Sequence, residues 1–241
     1  MALQIKNLRK SFSGRKVLDG IDLSVSDGEI VFVLGRSGTG KSVLLKNIVG
    51  LLSPDSGEIW LDNEELSKLS EEKYFPIRKK CGMVFQHPAL FDSLSVFENV
   101  AFGVRRHFPT ISDEELKVAV SDSLALVNLD GIENKLPSEI SYGMQKRVSL
   151  ARTVAINPRY LLFDEPTTGL DPVTTNSINT LILNLSHRLE TTSIVVSHDM
   201  HCALEIGDRI VILDQGKIVE EGKPQQIKNS KIPLVKEFLI S

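Results

Sequence analysis

The sequence predicts an α/β fold in which a mostly parallel sheet covered by helices carries an N-terminal antiparallel β-subdomain and an inserted helical subdomain. Three observations point there. An apolar run, IVFVL at residues 30–34, leads into a glycine-rich stretch and then into apolar residues at helical spacing over 41–51. Two further short apolar runs, YLLFDEP at 160–166 and TSIVVSHD at 192–199, flank a helical stretch from about residue 172 to 189, as expected for parallel strands joined by a crossover. Between these blocks, residues 91–155 are strongly helical in pattern.

In chain order, LQIKNLRKSF and KVLDGIDLSVSDGEIVFVLG alternate apolar and polar residues with glycine punctuation, the pattern of short antiparallel strands ending in the buried run at 30–34. The helix that follows closes before Pro54, and SGEIWLDNEEL at 56–66 gives a further strand and turn. In the helical stretch, SDEELKVAVSDSLALVNL has a cap at Ser112, acids in its first turn and a 3.6-residue stripe from Leu116 to Leu126 that reads as core packing. A late hairpin, RIVILDQGKIVEEG, turns on Gln215 and Gly216. The expected organisation is one domain over residues 1–241: core and β-subdomain from 1–90 and 156–225, helical subdomain 91–155, tail 226–241.

Composition narrows the function. With 28 Lys and Arg against 31 Asp and Glu, the net charge is −3, so the broad basic field that nucleic-acid binding needs is absent and no nucleic-acid partner is expected. Cys81 and Cys202 stand apart with no CxxC between them, which suits a reducing compartment. Lys6, Arg9 and Lys10 break the opening before a signal-peptide core forms, and no apolar run approaches the roughly 18 residues of a membrane span. Any membrane is expected to be crossed by another chain.

The chemistry concentrates in two motifs. GRSGTGKS matches G-x-x-x-x-G-K-[ST] between a predicted strand and a predicted helix, which is the phosphate-binding loop of a P-loop NTPase core. Its residues Gly35, Arg36, Ser37, Gly38, Thr39, Gly40, Lys41 and Ser42, with Val43 next to them, are the expected nucleotide cradle. Backbone N–H groups and the helix N-terminus face the phosphates, Lys41 reaches the outer ones and Ser42 offers a hydroxyl to Mg2+. LLFDEP then delivers Asp164 and Glu165 to the C-terminal edge of a buried strand, Asp164 for the Mg2+ water shell and Glu165 to activate the attacking water.

With both motifs placed, the remaining landmarks resemble those of ABC transporter ATPases across nearly the whole chain, which implies a RecA-like core. By that resemblance, Gln86 is the Q-loop glutamine that meets the γ-phosphate and metal, ISYGMQKR at 140–147 the signature motif, GLD ending at Asp171 the D-loop, His198 the switch histidine and Phe12 the aromatic that stacks on adenine. It also implies ATP and Mg2+ as cofactors. ATP would lie between the phosphate loop of one copy and Ser141 to Gly143 of another, in a homodimer formed on ATP binding, with integral-membrane permease subunits as partners at the cytoplasmic face of the inner membrane.

A narrower resemblance rests on FQHPALFDSLSVFENVAF at 85–102, NKLPSEISYGMQKRVSLAR and PLVKEFL, which look like the Mla-type, MCE-associated phospholipid transporters. ALFDSL and Met144 fit that branch better than amino-acid importers do. It implies phospholipid transport between envelope membranes, with an MCE lipid-binding protein and a STAS-like accessory subunit. An ATPase for a polar amino acid or other small solute, and a soluble non-transport ABC protein, stay open as alternatives. Tyr142 departs from the pattern, standing where a small residue is usual, and is expected to reshape the γ-phosphate contact. Leu90, Phe91, Leu94, Val96 and Phe97 are expected to supply a groove for a permease helix. In the tail, Leu234, Val235, Phe238 and Leu239 form one helical stripe, expected to dock on a neighbouring copy or accessory subunit, or else on its own domain.

Overall fold

A computed structural model describes residues 1–240 of the chain; Ser241, the last residue of the tail, lies outside them. The N-terminal strands β1 (Leu3–Phe12) and β2 (Arg15–Val25) pair antiparallel. The chain then enters β3 (Ile30–Leu34), whose five residues are all buried, and turns into α1 (Lys41–Ile48). Helix α1 stops earlier than expected because Gly50 turns out of it at φ 67°. Strands β4 (Ser56–Leu61) and β5 (Glu64–Glu65) complete a four-stranded antiparallel sheet of order β2-β1-β4-β5. Thus β3 does not close that sheet, as its position after two alternating strands suggested; its unbroken apolar run suits burial on both faces.

Helix α2 (Glu71–Lys80) and strand β6 (Cys81–Val84) follow, and neither has a clear sequence signal. Pro76 lies inside α2, and only Tyr74 and Ile77 are buried, one turn apart. The helices α3 (Val96–His107), α4 (Asp113–Leu126) and α5 (Tyr142–Val154) come next. Capping boxes at Ser95/Glu98 and Ser112/Glu115 start the first two, and the Ser141 hydroxyl accepts the Met144 N–H to start the third. Strand β7 (Tyr160–Asp164), helix α6 (Pro172–Arg188), strand β8 (Thr192–Ser197) and helix α7 (Met200–Ile206) lead to the hairpin of β9 (Arg209–Asp214) and β10 (Lys217–Gly222). Its turn has φ 46° at Gln215 and 76° at Gly216, the left-handed pair that matches strand twist. Short helices α8 (Pro224–Lys228) and α9 (Pro233–Ile240) end the chain.

The second sheet has order β10-β9-β3-β8-β7-β6, parallel except for β10. Alternate residues of β3 face opposite cores: Ile30, Phe32 and Leu34 pack with the α3–α7 side, Val31 and Val33 with α1 and the antiparallel sheet. The stripe on α4 is core, with Leu116, Val120 and Leu124 at most 2% exposed. The tail docks on its own domain, because Val235 of α9 is wholly buried and Leu234, Phe238 and Leu239 pack against the same core as α7. The expected stripe is therefore real, and of its two expected homes the structure takes the second.

Leu116→Ala should destabilise the chain by about 2–5 kcal/mol through the cavity it leaves, lowering nucleotide binding and stability together; a denaturant titration measures it.

Candidate functional site

Parallel strands share one carboxyl edge, and here four of them open onto a single cavity of roughly 710 Å3. Of the residues expected from sequence, Arg36, Ser37, Gly38, Gly40, Lys41, Ser42, Val43, Gln86, Glu165 and His198 line it. The phosphate loop takes its shape from glycine. Gly38 and Gly40 sit at φ 79° and 107°, and a Cβ on Gly40 would lie 2.8 Å from the Val17 carbonyl oxygen. A Cβ on Gly35 would lie 2.4 Å from the Leu213 oxygen. Thr39 braces the loop by donating to the Arg36 carbonyl at 2.9 Å.

Lys41 is 6% exposed, and its Nζ donates to the Gly35 and Arg36 carbonyls at 2.7 and 3.2 Å. The same ammonium pairs with Glu165 Oε1 at 3.2 Å, while Glu165 Oε2 accepts from His198 Nδ1 at 2.7 Å. A carboxylate can only accept, so Nδ1 carries the imidazole proton in this contact. Glu165 stands at φ 50°, an uncommon left-handed setting for a non-glycine residue, with its N–H held by the Val196 carbonyl at 2.9 Å. One residue earlier, Asp164 Oδ1 accepts from the Ser42 hydroxyl at 2.7 Å. Two oxygen donors side by side suit Mg2+, which takes one or two protein ligands and keeps waters and phosphate oxygens for the rest.

Other expected residues lie outside the cavity. Phe12 ends β1, 43% exposed, with Lys10 Nζ 5.4 Å from its ring centre. Ser141 caps α5, and Gly143 packs so closely that a Cβ would approach Thr174 Cγ2 to 2.9 Å. Asp171 caps α6, accepting the Val173 and Thr174 N–H groups at 3.0 Å, and the Thr174 bonds hold its carboxyl below the usual carboxylate range. The cavity also gains residues that the motifs did not single out: Val17, Thr168, and Glu237 and Phe238 of α9. Glu237 forms an ion pair with Arg36 of the phosphate loop. Only the apolar stripe of the tail was visible in sequence; its docking beside the loop depends on tertiary packing.

A family model described as "ABC transporter" matches residues 18–168. The chain belongs to the ABC transporter family. Methionine import ATP-binding protein MetN of Carboxydothermus hydrogenoformans is 41% identical over 240 residues, covering 98% of this chain and 70% of that protein. Intermembrane phospholipid transport system ATP-binding protein MlaF of Haemophilus influenzae is 40% identical over 237 residues, covering 98% and 89%. Among solved structures, the dimeric ATP-binding cassette MJ0796 in a post-hydrolysis state with ADP and Pi superposes with a TM-score of 0.85 at 33% identity, covering 92% of this chain and 98% of that one. This chain is thus the ATP-binding, ATP-hydrolysing subunit of an ABC transporter, with ATP and Mg2+ as cofactors. No helix among the described residues is long and apolar enough to cross a membrane.

Glu237 sets a carboxylate at the mouth of an anion site. Glu237→Gln should tighten ATP binding by the ABC ATPase roughly two- to fivefold at low salt, within the range of a surface ion pair, and the gain should fade at high salt. Titration with a fluorescent ATP analogue at two salt concentrations measures it.

Proposed function

We propose that this ABC ATPase drives a transporter that moves phospholipids between bacterial envelope membranes, working at the cytoplasmic face of the inner membrane through permease subunits, an MCE lipid-binding protein and a STAS-like accessory subunit. The observation that carries the cargo assignment is the segment 85–102, with Met144, which resembles the lipid branch; the 40% identity to MlaF supports it. A methionine or other small-solute importer is the competing reading, favoured by 41% identity to MetN. Mass spectrometry of the intact, gently purified membrane complex separates them: bound phospholipid supports the proposal, and a complex that carries no lipid and binds an amino acid overturns it.

For the chemistry, we assign Lys41 to the β- and γ-phosphates, where it would exchange its loop carbonyls and Glu165 for phosphate oxygens. Ser42 and Asp164 would hold Mg2+, which lends charge stabilisation when bound, with Gln86 completing that side. Freed from Lys41, Glu165 would take the proton of the attacking water, and His198 would keep its carboxylate aimed. Phe12 would stack on adenine. Ser141 and Gly143 stand at the N-terminus of α5, where the helix dipole favours an anion, and would meet the γ-phosphate of a second copy, with Asp171 beside them. Residues 91–155 would move as a unit when the two copies close.

The residues expected to form the groove divide between core and surface. Val96 is buried and Leu90 and Phe97 pack on the core, whereas Phe91 and Phe102 are 44% and 47% exposed with ring centres 4.9 Å apart. Leu94, Phe102, Glu98, Arg105 and Arg106 line a shallow cavity beside them. We assign this surface to a short permease helix.

Two outcomes follow. Glu165→Gln should bind ATP normally and hydrolyse it at least about a hundredfold more slowly, read by phosphate release. Phe91→Ser should fold and bind ATP as the parent does, yet lose at least about tenfold in permease affinity, as for an interface anchor, read by co-purification.

A further inference from the structure

We propose that Tyr142 and Lys146 of α5 are positioning residues that clamp the loop carrying Gln86, so that the place of this glutamine at the nucleotide site fixes the place of Ser141 in the same chain. The inference rests on the assignment of Gln86 to the γ-phosphate side of the site. Residues 86–89 form no regular structure, yet α5 holds each of them. Lys146 Nζ donates to the Gln86 carbonyl, the Tyr142 hydroxyl meets His87 Nδ1 at 3.4 Å, and Arg152 donates to the Pro88 and Ala89 carbonyls at 3.0 and 2.7 Å. Three of these contacts fall on backbone oxygens, so the helix grips the course of the loop while Gln86 lines the cavity.

Tyr142 and Lys146 are four residues apart on one helical face, and the ammonium lies 5.7 Å from the phenol ring centre. The phenol that departs from the family pattern is therefore engaged within its own chain. Lys146 is 2% exposed and makes no ion pair among the described residues. A buried ammonium without a carboxylate costs stability, and an apolar side chain of the same length would fill the space without that cost. Burial also pulls its pKa from 10.5 down to about 8, the mark of a cation held where it is poorly solvated. What the lysine supplies is the bond to Gln86. Ser141 lies one residue before Tyr142 and caps the same helix, so a loop displaced at residue 86 moves the helix end that carries Ser141.

The test uses the full chain and separates kcat from KM. Lys146→Met should lower kcat about tenfold, leave the KM for ATP within about twofold, and leave Tm unchanged or higher, because an unpaired buried charge is removed. Lys146→Arg should restore at least about half the lost rate, and Tyr142→Phe, which keeps the ring and loses only the His87 contact, should lower kcat about threefold. Gln86→Ala alone tests the assignment of Gln86: parental kcat in that variant refutes the assignment, whatever happens at Lys146. Given a slow Gln86→Ala enzyme, the double variant Gln86→Ala/Lys146→Met should match it within about twofold, since both changes break one linkage. Multiplying effects in the double variant, or a loss of kcat that tracks a falling Tm, would overturn the proposal. Should Lys146→Met fail to fold, Tyr142→Phe decides: parental kcat there overturns it, and a threefold loss with unchanged KM supports it.

Discussion

The register of four parallel strands is the constraint on which the site depends. Leu34 pairs with Ser197, Val196 with Asp164 and Phe163 with Val84. The phosphate loop, the two acids, His198 and Gln86 therefore leave the sheet at the same edge, although they are spread from residue 35 to residue 198. Burial on both faces makes that register hard to change, because a one-residue slip would exchange Phe32 and Val33 between two filled cores. Chemistry at the edge is thus fixed by packing in the middle of the strands. The link between Lys41, Glu165 and His198 is its result: it joins residues that follow three different strands.

How much of this was legible in the sequence depends on what encodes each part. Strand β3, the phosphate loop and α1 are local, since an apolar run, glycines and an apolar stripe determine them within about twenty residues. The cap at Ser112 and the Gln215–Gly216 turn are local too. Helix α2 was hidden because Pro76 and a largely polar surface mask its two buried residues, and β6 because four residues are too few for a periodic signal. The tail stripe was visible but its destination was not, as Val235 finds its partners on elements far away in sequence. Lys146 is illegible in the sequence for a related reason: a lysine in a helix normally faces water, and only the fold buries it.

The stretch from Phe85 to Ser95 shows how irregular chain can be held firmly without a ladder. Asn99 is wholly buried, and its amide accepts the Phe91 N–H and donates to the carbonyls of Phe91, Leu94 and Ser95. Together with Lys146 and Arg152 it satisfies backbone groups that a strand or helix would otherwise pair. The stretch is thus tied by hydrogen bonds to α3 and α5.

Three of the expected residues outside the cavity, Ser141, Gly143 and Asp171, share one surface. A Cβ on Gly143 would touch Thr174, one on Gly169 would come within 3.8 Å of Tyr142, and Asp171 caps the helix that carries Thr174. The start of α5 and the start of α6 therefore lie against each other, presenting two capped helix N-termini with Ser141, Gly143 and Asp171 together. Helix N-termini favour anions, and Ser141, Gly143 and Asp171 are not among the residues that line the cavity at the phosphate loop of their own chain. In the proposed dimer a second copy would bring a phosphate to this surface, and by symmetry each chain would complete the site of the other. The dimeric cassette among the solved structures has the same fold, and its existence agrees with a division in which one chain binds ATP at its sheet edge and meets its partner's ATP with its helix ends.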